Sequence, residues 1–464
     1  MERPLSQLPT SATHDLVQEG LRHHQAGQFA EAERIYQRVL TINPHHPDAL
    51  HLLGMIAYQT GRNEAAAEFI RSAIAIKADA ASYHSNLGNV LQSQGKLAEA
   101  GACYQRALVL KPDLIETHLN LGNIFKARGD VDSSVACYRR ALALNPASAE
   151  AAVAESMALL LKGDFASGWK NFERRWQTRD YDTPMRAYAQ PLWSGEPLSA
   201  GRLLLWGEQG IGDEIMFAGL IPDVIRTGTR CVLDCDARLQ PLFSRSFPAI
   251  DVVSGVAFES HPKFDIAAHL PCGSLPGLFR TSTAAFAATT SPYLIADPSA
   301  RSQFRERYSD GRKLVGLAWH TKNKKTGRSR SIDLQLLATL FARPGIRWVS
   351  LQYGERASLE EQAANTPIFI DPEIDQLSNI DQFAAQVAAM DLVITIDNST
   401  AHLAGALGIP TWILLPFAPD WRWLQEREDS PWYPTTRLFR QTRLDDWQSI
   451  VQDVERALEK NSPG

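Results

Sequence analysis

The chain has 464 residues, 44% of them hydrophobic and 21% charged, with a formal net charge of -5 and a pI near 6.2. That length can bury two or three ordinary cores, and the acidic balance argues against a nucleic-acid surface. No run of about 18 apolar residues occurs, and the first residues, MERPLSQLPTSATHD, lack a signal-peptide apolar segment, so a cytoplasmic protein with no membrane span is expected.

Residues 1–12 read as a disordered tail. Beyond them Gly27, Gly61, Gly95, Gly129 and Gly163 recur every 34 residues. Other positions keep the same register. Ala32, Ala66, Ala100 and Ser134 hold a small slot, and Tyr36, Ile70, Tyr104, Tyr138 and Phe172 hold a large apolar one. Pro44, Pro112 and Pro146 mark helix ends, and a Leu-Gly pair recurs at Leu53-Gly54, Leu87-Gly88 and Leu121-Gly122. Small residues let paired helices approach, glycine opens the turn between them, and proline stops the second helix. The pattern resembles the tetratricopeptide repeat (TPR) over residues 13–178, with a fifth unit degenerate where Glu155-Ser156 replaces Leu-Gly. Such pairs stack into an all-α solenoid with a concave face. Asn86, Asn89, Asn120 and Asn123 recur one repeat apart on first helices. They read either as a groove that binds a protein or peptide partner, or as solvated face residues. Cys103 and Cys137 share one repeat position and read as core filler, while Cys231, Cys235 and Cys272 show no zinc spacing.

Residues 179–200 carry Pro184, Pro191, Gly195 and Pro197 and read as a linker. From Arg202 onward short apolar runs alternate with amphipathic stretches, which predicts an α/β fold. Strands are expected at residues 203–206, 231–235, 265–270, 313–319, 347–352, 391–397 and 411–416. A charged, loop-like stretch near 297–312 divides them into halves at 201–300 and 301–464.

Each half has one strand-to-helix loop suited to binding. In the first, Gly207, Gly210 and Gly212 allow close backbone approach, and Gln209, Asp213 and Glu214 would face the crevice beyond the strand ends. Asp213 reads equally as a helix cap. The second runs through Asp397, Asn398, Ser399, Thr400 and His402, where a helix N-terminus favours phosphate. Here Ser399 or Thr400 could instead cap the helix, with His402 packed beneath. Between the two lies a cationic run, His320, Lys322, Lys324, Lys325, Arg328 and Arg330, which reads as an anion clamp or as a solvated loop. Asp234-Cys235-Asp236 suggests strand-end capping rather than a metal site. Trp421, Trp423, Trp432 and Tyr433 cluster beside Arg422 and read as a stacking platform or a seam cover.

In order and spacing, GEQGIGDEIMFAGLIPDV, GLAWH with its basic loop, and DLVITIDNSTAHLAGALGIPTWILLP resemble heptosyltransferase-like glycosyltransferases of family 9 over about residues 200–460. With the repeats in front, the chain is similar to bacterial TPR-glycosyltransferase fusions. The resemblance implies a GT-B type fold of two Rossmann-like lobes, the first on the acceptor side and the second on the nucleotide-sugar side. It implies inverting, metal-independent transfer of a hexosyl or heptosyl group from a nucleotide sugar, used as substrate with no cofactor, to a protein or glycan hydroxyl. Asp213 would be the general base, with Gln209, Gly210, Gly212, Glu214 and His320 in the cleft. Asp397, Asn398, Ser399, Thr400 and His402 would hold the donor, and Lys322, Arg328 and Arg330 would offset the leaving diphosphate. The closing helix, residues 445–460, would cross back to the first lobe. The alternative is a non-catalytic TPR adaptor with a degenerate glycosyltransferase-like domain.

Overall fold

The computed structural model describes residues 10–179, 181, 183–255, 264–322 and 327–460. They group into two compact units, Met1–Glu155 and Ser156–Gly464.

The first unit is built of antiparallel helix pairs. These are α1 (Thr10–Gln25) with α2 (Phe29–Ile42), α3 (Pro47–Gln59) with α4 (Asn63–Ile76), α5 (Ala81–Ser93) with α6 (Leu97–Leu110), and α7 (Ile115–Ala127) with α8 (Val131–Leu144). Residues 10–12, expected in a disordered tail, are the first turn of α1. The periodic glycines turn the chain within each pair at φ of 73, 78, 75 and 79°, the left-handed region that a side chain disfavours. The Leu-Gly glycines answer a different need. A Cβ on Gly88 would lie 2.5 Å from Tyr104 Cε1, and one on Gly122 2.5 Å from Tyr138 Cε1, so each fully buried tyrosine seats against a bare backbone. Cys103 and Cys137 pack against this core as partly buried apolar groups.

The helix α9 (Ala149–Lys162) turns at Gly163 (φ 83°) into α10 (Phe165–Phe172). Within the second unit α10 buries Phe165, Trp169 and Phe172; Trp169 donates to the Arg280 carbonyl at 2.8 Å and meets Trp421 edge-on.

Two parallel sheets follow. The first holds β1 (Arg202–Trp206), β2 (Cys231–Asp234), β3 (Asp251–Val253) and β4 (Ile266–Pro271) in the order β3-β2-β1-β4. Its helices are α11 (Ile211–Ala218), α12 (Ile221–Arg226), α13 (Gln240–Ser246) and α14 (Leu275–Phe279). The second holds β5 (Lys313–Ala318), β6 (Ile346–Ser350), β7 (Leu392–Ile396), β8 (Thr411–Leu415) and β9 (Thr436–Arg440) in the order β6-β5-β7-β8-β9. With it run α15 (Pro298–Tyr308), α16 (Gly327–Arg330), α17 (Ala338–Phe341), α18 (Arg356–Ala363), α19 (Ile380–Ala388), α20 (Ser399–Ala406) and α21 (Trp447–Lys460). The strands β1, β2, β5, β7 and β8 are nearly all buried, as strands covered on both faces must be. Each order reverses direction once, beside β1 in the first sheet and beside β5 in the second. In open α/β sheets, crevices for ligands lie beyond the strand ends at such reversals.

Three expectations need correction. The stretch near 297–312 is not a loop but largely α15, capped by Asp297 and anchored by buried Phe304 and Tyr308 on one face. The closing helix does not cross back. Ile450, Val451, Val454 and Leu458 of α21 share a core with Val315, Ile394 and Leu414 of the second sheet, where the apolar stripe is already satisfied. Strands β3 and β9 were absent from the sequence reading; both are edge strands, and their apolar runs are short. No helix among the described residues is long and apolar enough to cross a membrane.

Candidate functional site

The loop after β1 is built by close packing. A Cβ on Gly207 would overlap the Glu214 carboxylate, and one on Gly212 would approach His402 Cδ2 at 3.1 Å, so α11 and α20 meet at their first turns. Gln209 has a φ of 66°, left-handed without being glycine. Gly210 begins α11, and its N-H donates to Asp213 Oδ2 at 3.4 Å. Asp213 Oδ1 meanwhile receives Arg422 in an ion pair. Asp213 therefore caps its helix and also faces the second sheet. Glu214 points inward, where its Oε2 accepts from the Asp236 N-H at 3.0 Å. Burial pushes its carboxyl up to about 7, against the lowering effect of that amide and with the help of Asp236 and Asp234. Asp234 itself is spent on Arg186 at 2.5 Å and the Gly255 N-H at 3.1 Å.

At the second loop the cap is Asn398, not Ser399 or Thr400. Its Oδ1 accepts from the Thr400 N-H at 3.0 Å, the Ala401 N-H at 3.3 Å and Thr395 Oγ1 at 3.0 Å. Two of the free donors of the helix N-terminus are thus already used. Thr400 is fully buried and its hydroxyl donates to the Leu351 carbonyl at 3.4 Å. His402 is buried too, with Nδ1 2.9 Å from the Tyr433 hydroxyl and its ring stacked on Trp423 at 5.3 Å. Burial, then the neighbouring Arg422, lowers its pKa to about 3, so the imidazole is neutral.

The cationic run divides. Arg330 lies 3.1 Å from Asp397 Oδ2 and 3.4 Å from Asp420 Oδ2; Asp420 Oδ1 lies 2.7 Å from Arg422, which also holds Asp213. Asp397, Arg330, Asp420, Arg422 and Asp213 thus form one alternating line of charge from the second sheet to the first. Burial works against the Asp420 carboxylate, but Arg422 and Arg330 outweigh it and hold the pKa down to about 2. Asp397 shifts the other way, raised by burial despite Arg330. Asn398 Nδ2 and Arg422 Nε are buried, yet among the described residues no hydrogen bond of normal geometry reaches them. Such groups are costly unless a polar partner meets them.

Lys322 and Arg328 are exposed and stand outside this line, and Lys324 and Lys325 lie outside the described residues. His320 is half-buried. Gln352 fixes its backbone by accepting its N-H at 2.8 Å and donating to its carbonyl at 2.9 Å. Its side chain lines a groove of about 670 Å³ with Trp319, Asp333 and Gln362. Gln209 and Gly210 are exposed, at the mouth of the first loop. The sequence reading missed Asp420. Its signal was the spacing in Asp420-Trp-Arg-Trp423, where one carboxylate caps the turn and receives two arginines. All four aromatic residues of that region are buried, against α10, Phe286 and His402.

In the repeats the asparagines are half-buried and bonded to one another, to their tyrosines or to His51. Asn89 Oδ1 accepts from Tyr104 at 2.8 Å and from Asn120 at 3.0 Å; Asn123 accepts from Tyr138 at 2.8 Å; Asn86 meets His51 at 2.9 Å.

Residues 23–89, 88–129 and 115–148 match models of the tetratricopeptide repeat, and the N-terminal part of the chain is an array of that class. Among curated proteins the chain is similar to Protein FlbA of Caulobacter vibrioides, 32% identical over 328 residues, 66% of this chain and 54% of that protein. The chain therefore spans about half the length of this relative. Among solved structures, MamA is 22% identical with a TM-score of 0.32, covering 33% of this chain and 91% of that one. Pseudomonas aeruginosa PilF is 18% identical with a TM-score of 0.36, covering 47% and 86%. YrrB, described as a TPR protein with an unusual peptide-binding site, is 15% identical with a TM-score of 0.32, covering 34% and 82%.

Proposed function

We propose that the second unit is a GT-B type glycosyltransferase that moves a sugar from a nucleotide donor to a protein or glycan hydroxyl, while the repeats recruit the acceptor. The observation that carries this reading is the line of charge from Asp397 to Asp213, because it joins the segments that follow β1, β5, β7 and β8, and β1 and β5 stand at the reversal points of the two parallel sheets. Arg330 and Arg422 would offset the charge of a leaving diphosphate, the largest electrostatic demand of such a transfer. An arriving diphosphate would compete with Asp213 for Arg422. Once released, Asp213 accepts the proton of the acceptor hydroxyl as its oxygen attacks the anomeric carbon and the bond to the diphosphate breaks, with inversion.

A second reading stays open on a specific observation. Asp213 already has two structural partners, the Gly210 N-H and Arg422, as a scaffold without turnover would require. Transfer and hydrolysis across a panel of nucleotide sugars, wild type against Asp213→Ala, separate the two. The enzyme reading fails if no donor binds and the variant changes nothing.

A further inference from the structure

The segment that follows α10 is bound to the glycine-rich loop by bonds that ordinary packing does not require. Arg175 is fully buried, and its guanidinium forks onto Glu208, Nε to Oε2 at 3.0 Å and Nη2 to Oε1 at 2.9 Å. Its remaining donors go to Ser274 Oγ at 2.9 Å, Glu173 at 3.0 Å and the Phe172 carbonyl at 3.2 Å. The Tyr181 hydroxyl also donates to Glu208 Oε2 and accepts from Gln209 Nε2 at 2.9 Å. The Thr183 hydroxyl accepts from the Gln209 N-H at 2.9 Å. Trp176 packs on Trp206, the last residue of β1, at 5.5 Å.

The bonds to Glu208 and Gln209 all fall on residues between β1 and α11. Glu208 cannot back away, because Gly273 leaves room for it only by lacking a side chain. Gln209 holds a left-handed backbone, which is strained for a residue with a Cβ and persists only where surroundings impose it. The Thr183 hydroxyl holds that backbone through the Gln209 N-H, and Tyr181 holds the Gln209 side chain. Two residues further on the loop delivers Ile211 and α11, and with them Asp213.

We infer that Arg175, Tyr181 and Thr183 are positioning residues of the candidate site, a clamp from the end of the last repeat and the segment after it that sets the Glu208-Gln209 turn and so the aim of Asp213. Among the described residues, no hydrogen bond, ion pair or ring contact of Arg175, Tyr181 or Thr183 reaches the second sheet or the Asp397 loop. It rests on the proposed function only where turnover is measured.

Tyr181→Phe and Thr183→Val, singly and together, remove hydroxyls while keeping shape, and Thr183→Ser restores one. Amide hydrogen exchange on the full chain is expected to quicken about tenfold in residues 207–213, the factor for one lost hydrogen bond, with residues 392–406 unchanged. If the chain transfers sugar, kcat falls by a similar factor, KM for the donor and calorimetric affinity for the nucleoside diphosphate stay within about twofold, and Thr183→Ser recovers the rate. Unchanged exchange at 207–213, or faster exchange with kcat intact, overturns the clamp. If wild type transfers nothing from any donor, the enzymatic reading falls by itself and exchange alone decides the clamp. Arg175→Gln strands a buried Glu208 and threatens the fold, so it is judged only beside the milder variants.

Discussion

Arg422 and Asp213, far apart in sequence, form an ion pair in which the arginine is also held by Asp420 at 2.7 Å. A carboxylate expected to act as a base is thus tied to a cation expected to meet phosphate, and the two functions compete. Asp213→Asn keeps an acceptor for the Gly210 N-H but removes the charge. Transfer should fall by about 100-fold or more, the usual weight of a general base, while affinity for nucleoside diphosphate holds or tightens because Arg422 is released. Retained turnover, read by product formation from the preferred donor, would remove Asp213 from the chemistry.

Arg330 and the exposed cations should separate in a binding experiment. Arg330→Lys keeps a charge but cannot span Asp397 and Asp420, and should weaken calorimetric affinity for nucleoside diphosphate about tenfold. Lys322→Ala and Arg328→Ala should act weakly, and less as salt rises, since exposed charges are screened. Equal losses for all three would place the anion on the outer run.

Glu214 gives a pH signature in stability. Its carboxyl is raised from 4.5 to about 7 by burial, so across that window the folded chain holds a proton that the unfolded chain releases. Stability from this group therefore falls as pH rises from 4.5 to 7 and stays lower above it. Glu214→Gln keeps an acceptor for the Asp236 N-H and should match wild type near pH 4.5 but gain on the order of 3 kcal/mol by pH 8 in denaturant unfolding. A pH-independent difference would show that the site admits water.

In the repeats two glycines should fail for different reasons. Gly88→Ala forces a Cβ to 2.5 Å from Tyr104 and should cost about 1–3 kcal/mol by overpacking. Gly95→Ala meets nothing within 4 Å, yet its φ of 75° should cost about 1–2 kcal/mol. Urea unfolding followed by helical circular dichroism measures both. Trimming Tyr104 to Leu should relieve the first loss and not the second.

What the sequence determined by itself was whatever repeats or runs locally. The 34-residue ladder announced its helix pairs because the same turn and the same close approach demand the same residues each time. Seven strands were legible because strands buried on both faces are continuous apolar runs. Strand β3 was too short to stand out, β9 was hidden because Thr436, Arg437 and Arg440 leave it only Leu438-Phe439 as an apolar run, and α15 was hidden because its charged surface outnumbered the Phe304 and Tyr308 that anchor it. The tertiary structure alone decided the partners. No local pattern says that Asn398 rather than Thr400 caps α20, that α21 stays on its own sheet, or that Asp420 stands between Arg330 and Arg422. Ion pairs such as Arg422 with Asp213 and Arg175 with Glu208 join residues brought together only when the two sheets and the last repeat pack, and sequence distance carries no record of that geometry.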